Sequence, residues 1–358
     1  MKEKILIAMS GGVDSSVAAY LMQRQGCDCI GVTMRLFLNS DAGMEKGRTC
    51  CSLDDVEDAR SVACRLGIPY YVFNFTEDFR RCVIEHFADS YRRGVTPNPC
   101  IDCNRYLKFD RLLQRAETLG CDCLVTGHYA RIEQDTASGR WLLKRAADRS
   151  KDQTYFLYML TQDQLAHTLF PLGGLHKTEV RQIAEAHGLV NARKHDSQDI
   201  CFVPDGKYAD FIERTVGNPS PVGPFLDQEG RVLGQHKGLI RYTKGQHKGL
   251  GLSTEEPLYV LEKDAQTNTI RLGPDSALWT TELTAERVNL ISVPELTAPM
   301  RVTAKTRYSQ REAAATVEAL PGGCIRVVFD EPQRAITPGQ AVVLYDGECV
   351  VGGGTIRG

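Results

Sequence analysis

The chain lacks the marks of several common classes. No apolar stretch approaches the ~20 residues of a membrane-spanning helix. Met1-Lys2-Glu3-Lys4 leads directly into an apolar run, so no secretory leader is expected and the protein reads as cytoplasmic. Lys and Arg number 43 against 45 Asp and Glu, a formal net charge of −2. A nucleic acid would therefore have to be met by local basic patches, because no global field favours it. The ATP-loop signature G-x-x-x-x-G-K-[ST] is absent, which removes the usual phosphate lysine. Cys100 and Cys103 form the sole C-x-x-C, so a zinc site of paired motifs has no second half.

What is present is an ordinary globular composition, 42% apolar and 25% charged over 358 residues, a length that predicts about two to three domains. Thirteen cysteines are ill suited to disulfide scaffolding in a reducing compartment. Cys27, Cys29, Cys64, Cys82, Cys121 and Cys123 lie in or beside apolar runs and read as small core residues. Cys50 and Cys51 form an exposed-looking pair with no evident partner.

Apolar runs at 4–9, 28–34, 70–75 and 121–126 read as strands, and patterns at 15–25, 53–66, 77–92 and 106–119 as helices. This alternation predicts an α/β fold with a Rossmann-like parallel sheet covered on both faces and ligands at the carboxyl ends of its strands. A hairpin is expected over 129–145 and helices over 162–169 and 177–186. Pro219, Pro221 and Pro224 mark a linker. Beyond it, Gly234-Gln235-His236-Lys237-Gly238-Leu239 recurs as Gly245-Gln246-His247-Lys248-Gly249-Leu250, suggesting equivalent turns of a small β-rich module. Short β-branched runs after Trp279 predict a C-terminal β-barrel. The expected domains are 1–205, 206–275 and 276–358.

The segment Ser10-Gly11-Gly12-Val13-Asp14-Ser15 joins the first strand to the first helix. Paired glycines allow a tight turn and close approach of a ligand, and Asp14, Ser15 and Ser16 fall where the helix needs caps. Helix-terminal N–H groups there suit a phosphate. The string resembles the pyrophosphate loop of the N-type ATP pyrophosphatases, which cleave ATP between the α and β phosphates. That resemblance implies that the loop holds the departing pyrophosphate, with Asp14 suited to carry Mg²⁺.

Two further segments carry thiols. In Thr96-Pro97-Asn98-Pro99-Cys100-Ile101-Asp102-Cys103-Asn104 the prolines predict a rigid, extended stretch, with Asp102 or Asn104 capping the next helix. Cys103 would then lie at a helix N-terminus, which favours thiolate. Cys201, in Ser197-Gln198-Asp199-Ile200-Cys201-Phe202, reads as a core cysteine or as an accessible thiol at a strand start.

Together these segments, with Thr126-Gly127-His128-Tyr129-Ala130, Lys151-Asp152-Gln153-Thr154-Tyr155-Phe156, Tyr242-Thr243-Lys244-Gly245-Gln246 and Pro338-Gly339-Gln340, resemble the bacterial tRNA-specific 2-thiouridylase family along essentially the whole chain. The resemblance implies an ATP-dependent sulfurtransferase that thiolates the wobble uridine of tRNAs for Lys, Glu and Gln. It implies ATP contacts from Ala8, Met9, Ser10, Gly11, Gly12, Val13, Asp14, Ser15, Met34 and Gly127. Cys103 would be the nucleophile, and Cys201 would receive a persulfide from a cysteine desulfurase or sulfur-relay protein. Asn98, Pro99 and Cys100 would line the target base, while His128, Lys151, Asp152, Gln153, Arg307, Tyr308 and Gln340 would contact tRNA. Independently, strand alternation sets Arg301, Lys305 and Arg307 on one face, with Tyr308 at its end. Cys100 stands where some members carry Asp, and His247 where many carry Arg. Cys100, Cys103 and Cys201 could alternatively ligate a 4Fe–4S cluster. Other readings are another ATP pyrophosphatase, of the 4-thiouridine or synthetase type, or a non-catalytic RNA-binding sulfur carrier. A monomer is expected.

Overall fold

The predicted alternation builds a parallel sheet. The computed structural model describes residues 2–37, 53–192, 194, 200–203 and 206–357. Cys50, Cys51 and Ser197–Asp199 lie outside the described residues. Strands β1 (Lys4–Ala8), β2 (Asp28–Arg35), β3 (Tyr70–Asn74) and β4 (Cys123–Val125) match the expected runs to within two residues. The hairpin β5 (Arg131–Gln134) with β6 (Trp141–Lys144) comes next, then β7 (Thr168–Leu169). The five-stranded order is β3-β2-β1-β4-β7, every pair parallel. Ile5, Leu6 and Ile7 of the central strand are fully buried, as two-sided helical cover requires. β7 falls inside a segment read from sequence as helix; that helix stops at Ala166. Its two-residue length leaves no period for a pattern to reveal.

The fold divides into two compact units. One comprises Met1–Val83, Cys100–Gly206 and Glu348–Val351, and the other Ile84–Pro99, Lys207–Gly347 and Gly352–Gly358. In the first, α1 (Val13–Arg24) and α2 (Leu53–Leu66) pack on the sheet, with Val17, Ala18, Val62 and Ala63 in its core. Cys29, Cys121 and Cys123 are buried as expected, but Cys27 and Cys82 are half-buried and Cys64 is exposed. Burial raises the Cys29 thiol to about 11 and the Cys123 thiol to about 12, which keeps both inert.

The second unit holds a four-stranded sheet of β8 (Gly223–Leu226), β9 (Val232–His236), β10 (Tyr259–Asp264) and β11 (Thr269–Gly273), in the order β10-β11-β8-β9. Phe225, Val260, Ile270 and Leu272 form its core. The two glycine-flanked copies are not equivalent turns. His236 is buried on β9 and bonds the Asn268 carbonyl at 3.0 Å, whereas His247 is exposed in a loop against Tyr259.

Beyond this module come β12 (Trp279–Leu290), β13 (Met300–Lys305), β14 (Ala313–Leu320), β15 (Cys324–Arg334), β16 (Ala341–Asp346) and β17 (Cys349–Ile356). Their order β12-β15-β14-β13-β16-β17, closed by β12 against β17, makes the expected barrel.

Ile84–Pro99 belongs to this second unit although its neighbours in sequence belong to the first. Its Tyr91 ring lies 5.1 Å from that of Tyr208, and the Lys263 ammonium sits 5.6 Å from its centre. The Thr96 N–H bonds the Pro338 carbonyl at 2.9 Å, and the Gln340 amide donates to the carbonyls of Thr96 (2.9 Å) and Pro97 (3.3 Å).

Candidate active site

The strand order reverses beside β1, so the carboxyl ends of β1 and β4 open a crevice of the kind that binds ligands in open α/β sheets. The glycine loop lies there. Gly12, not a serine or aspartate, is the N-cap of α1, and no side chain caps the helix. Asp14 and Ser15 therefore lie inside the first turn, whose N–H groups have no intrahelical acceptor. Ser15 shapes the loop: its Oγ accepts the Ser10 N–H at 3.1 Å and donates to the Gly12 carbonyl at 3.1 Å. Gly11 has φ +73°, and a Cβ there would stand 2.3 Å from the Asp55 carbonyl oxygen. Gly127, after β4, comes so close that its Cβ would lie 2.8 Å from Asp14 C and Ser15 N. The loop and Thr126-Gly127-His128 thus converge as expected. Ala8 and Met34 lie near the carboxyl ends of β1 and β2, and Met9 extends β1 through its N–H to the Val32 carbonyl at 2.7 Å.

Distant residues, unnoticed in the sequence, lock this loop. Lys177 opens a helix (Lys177–Ala186) and sends its ammonium to both Asp14 oxygens at 2.7 and 2.8 Å. Tyr129 donates its hydroxyl to the same carboxylate at 2.7 Å. Asn191 donates to the Gly11 carbonyl (3.0 Å) and to Ser16 Oγ (2.7 Å). The Lys194 ammonium bonds Asp55 at 2.6 Å, Asp58 at 2.7 Å and the Gly11 carbonyl at 3.3 Å. Burial pulls the Lys194 pKa down, but its bonds to Asp55 and Asp58 outweigh that and leave it raised. A loop without its own lysine is thus supplied with two, from 163 and 183 residues along the chain.

The thiol segment departs from expectation. A helix begins at Pro99, with Cys100 next and Cys103 one turn inside, and it winds as a π-helix from Cys103 to Arg111. Proline's fixed φ suits the first helical position, so the helix starts earlier than the extended reading allowed. Asp102 and Asn104 do not cap it. Asn104 is buried and donates to the Phe156 carbonyl at 3.1 Å, tying this helix to the Lys151–Phe156 segment. π-Wound turns are frequent at functional sites.

Cys201 lies in a turn closed by the Val203 N–H to the Ile200 carbonyl at 2.8 Å, not at a strand start. Its neighbour Phe202 packs edge-on to Phe79 at 5.6 Å. Asp78, beside Phe79, pairs with Arg111 of the π-wound segment at 3.8 Å. Both thiol segments therefore pack on the short helix Thr76–Phe79. Cys103 and Cys201 are half-buried thiols and Cys100 an exposed one. No group of three or more His, Cys, Asp or Glu among the described residues is arranged to hold a metal.

The remaining predicted residues are divided between the two units. In the first, His128 is half-buried against the rings of Phe109 and Phe170, which also touch each other, and its Nδ1 meets Thr126 Oγ1 at 2.7 Å. Burial, with a smaller push from Lys108, drives its pKa well below the ordinary histidine value, so the ring is neutral. Asp152 is buried, accepting the Ala146 N–H at 2.9 Å and the Thr154 hydroxyl at 2.6 Å. Gln153 accepts the Tyr129 N–H at 2.9 Å, and the Lys151 N–H bonds the Asp148 carbonyl at 3.1 Å. Asn98, Pro99, Arg307, Tyr308 and Gln340 belong to the second unit. There Arg301 pairs with Asp330 at 2.7 Å, while Arg307 and Tyr308 are exposed.

The sequence matches three family profiles: a tRNA methyl transferase HUP domain over residues 3–205, a tRNA methyl transferase PRC-barrel domain over 209–274 and an aminomethyltransferase β-barrel domain over 280–356. It is 51% identical to a tRNA-specific 2-thiouridylase of Clostridioides difficile, covering 100% of this chain and 99% of the relative. It is likewise 51% identical to that of Acetivibrio thermocellus, over 99% of each chain. Among solved structures, a 4-thiouridine synthetase–RNA complex with bound ATP aligns with 60% of this chain and 50% of its own, at 19% identity and a TM-score of 0.39.

Proposed function

The chain belongs to the tRNA-specific 2-thiouridylase family, and on that premise we propose that it thiolates the wobble uridine of tRNAs for Lys, Glu and Gln at the expense of ATP. It is a tRNA sulfurtransferase. What carries the proposed chemistry is one compact unit that holds both a lysine-locked glycine loop and two half-buried thiols, Cys103 and Cys201, on segments that each touch the helix Thr76–Phe79.

In the first stage the uridine 2-oxygen attacks the α-phosphorus of ATP, and pyrophosphate leaves. The first-turn N–H groups of α1 and the hydroxyl of Ser10 receive its growing charge. Lys177 holds Asp14 in place, and Asn191 and Lys194 hold the Gly11 carbonyl, so these donors are set before substrate arrives. Asp14 is committed to Lys177 and Tyr129 and belongs to no wider donor group among the described residues. The described residues therefore do not by themselves make a Mg²⁺ site. Among the described residues Cys100, Cys103 and Cys201 likewise form no ligand group, and the sulfur chemistry proposed is a persulfide relay through Cys103 and Cys201.

In the second stage the terminal sulfur of a Cys201 persulfide attacks C2, and AMP departs with the former 2-oxygen. The Cys103 thiolate then attacks the Cys201 sulfur. The sulfur–sulfur bond to the transferred atom breaks, the base keeps that sulfur, and a Cys103–Cys201 disulfide remains for an external thiol to reduce. A cysteine desulfurase or relay protein supplies the persulfide. Extruding the base from its stack costs a few kcal/mol, least in a single-stranded loop.

The test is reconstitution with ATP, unmodified tRNA and a persulfide donor. Pyrophosphate release should depend on tRNA, and nucleoside mass spectrometry should find 2-thiouridine. Pyrophosphate release independent of tRNA, with no thiolated nucleoside, would refute the proposal.

A further inference from the structure

Exposed aromatic side chains are common singly, and most mean nothing. Trp279, 49% exposed at the start of β12, differs because its orientation is fixed. Its Nε1–H donates to Asp275 at 3.0 Å. Asp275 is in turn gripped by Arg334, with Nε at 2.8 Å and a second guanidinium nitrogen at 2.7 Å. The Arg334 guanidinium lies 5.3 Å from the centre of the Tyr259 ring, which limits its own movement. Trp279 and Arg334 are direct cross-strand partners, so the whole chain of contacts lies on one patch of the second unit. An indole held by one edge, with much of its surface in water, has lost its freedom before any partner arrives, and such preorganisation strengthens binding.

The charge beside it points to the partner. Arg334 and Asp275 cancel each other. Arg307 reaches the Arg334 carbonyl at 2.9 Å and meets no carboxylate within ion-pair distance among the described residues. Next to it Tyr308 is 38% exposed. A fixed aromatic platform beside an uncompensated guanidinium is the arrangement that stacks an unpaired base and meets its phosphate.

We propose that Trp279 is a stacking platform for an unpaired nucleotide of the tRNA substrate and that Arg307 meets the adjoining phosphate. The inference rests on the tRNA reading above and adds a contact that the family resemblance does not place. Stacking supplies affinity without base identity, so the platform serves several tRNAs alike.

The chain has only two tryptophans, so Trp141→Phe leaves Trp279 as the single reporter. Unmodified tRNA should quench its emission, saturating where filter binding saturates. Trp279→Ala should weaken tRNA binding about 5- to 150-fold, while Trp279→Phe, which keeps an aromatic face, retains most of the affinity. Asp275→Asn, which loosens the tether but keeps the indole, should fall between. Filter binding of wild-type strength by Trp279→Ala, with no change in the emission of Trp141→Phe when tRNA is added, would overturn the inference and leave the tRNA reading standing. Failure of the intact protein to retain tRNA on filters would overturn both. If Trp279→Ala lost only sulfur supply from a persulfide-carrying protein, with tRNA affinity intact, the surface would belong to that protein and the inference would fail.

Discussion

Replacing Lys177 by Met removes a charge from the glycine loop while keeping most of the side-chain stem. In the native protein the ammonium spans both Asp14 oxygens at 2.7 and 2.8 Å from a side chain 10% exposed. Unit charges this close attract by about 6 kcal/mol at an effective dielectric constant near 20. The Asp14 side chain is 31% exposed, so water recovers part of that when the lysine is lost, and the Tyr129 hydroxyl recovers more. A net cost of about 2–3 kcal/mol remains, below the ~3–5 kcal/mol of a fully buried pair broken on one side. If Lys177 works by holding Asp14, kcat/KM for ATP in tRNA-dependent pyrophosphate release should fall about 30- to 150-fold. Asp14→Asn breaks the same pair from the other side. The double variant should therefore be no slower than Asp14→Asn alone, giving a coupling energy of about 2–3 kcal/mol. Additive losses in that cycle, or a Lys177→Met enzyme with wild-type kcat/KM, would refute the reasoning.

Cys103→Ala and Cys201→Ala should each abolish thiolation while preserving tRNA-dependent pyrophosphate release, and Cys100→Ser should keep both. Loss of pyrophosphate release in either Ala variant would move the thiols into the adenylation step. Gly127→Ala places a methyl carbon 2.8 Å from Asp14 C and Ser15 N. The loop must shift, so we expect stability lower by about 1–3 kcal/mol and ATP affinity reduced at least about tenfold; calorimetry showing neither would mean that the two segments yield freely. His128 stays neutral in the folded protein because burial depresses its pKa, whereas in the unfolded chain it takes up a proton below about pH 6.5. Its contribution is full above that pH and lost as pH falls beneath it. His128→Asn should flatten the acid limb of the urea midpoint against pH, and an unchanged limb would count against this assignment.

What the sequence makes legible here is what neighbours in the chain decide. Ser10–Ser15 can be read because turn and helix start are built from adjacent residues. β1 to β4 can be read because buried parallel strands are apolar throughout. Lys177, Asn191 and Lys194 cannot be connected with the loop, since each reaches Gly11, Asp14 or Ser16 from more than 160 residues away. The one available hint is the absence of a lysine from the loop, which asks where its cation comes from. Pro99 misleads for a different reason. Proline signals an extended chain and a helix start equally well, and only the tertiary partners of Cys100–Asn104 decide between them. The repeated Gly-Gln-His-Lys-Gly-Leu misleads because identical local sequence meets different tertiary surroundings, burying His236 and exposing His247.

The placement of Ile84–Pro99 in the second unit has a consequence for how the protein is made. The carbonyls of Thr96 and Pro97 wait for an amide 244 and 243 residues further along, on Gln340. At ~5–20 residues per second, translation takes roughly 12–50 s to deliver it. During the first part of that interval Tyr91, which ends almost fully buried, has neither Tyr208 nor Lys263 beside it, because both lie further along the chain. The nascent enzyme therefore emerges with Tyr91 uncovered at first, and with the Thr96 and Pro97 carbonyls unpaired by Gln340 until the last strands have left the ribosome. Chaperone demand should fall on that window, and release of the finished chain, more than its first two hundred residues, sets when Ile84–Pro99 acquires its full set of partners.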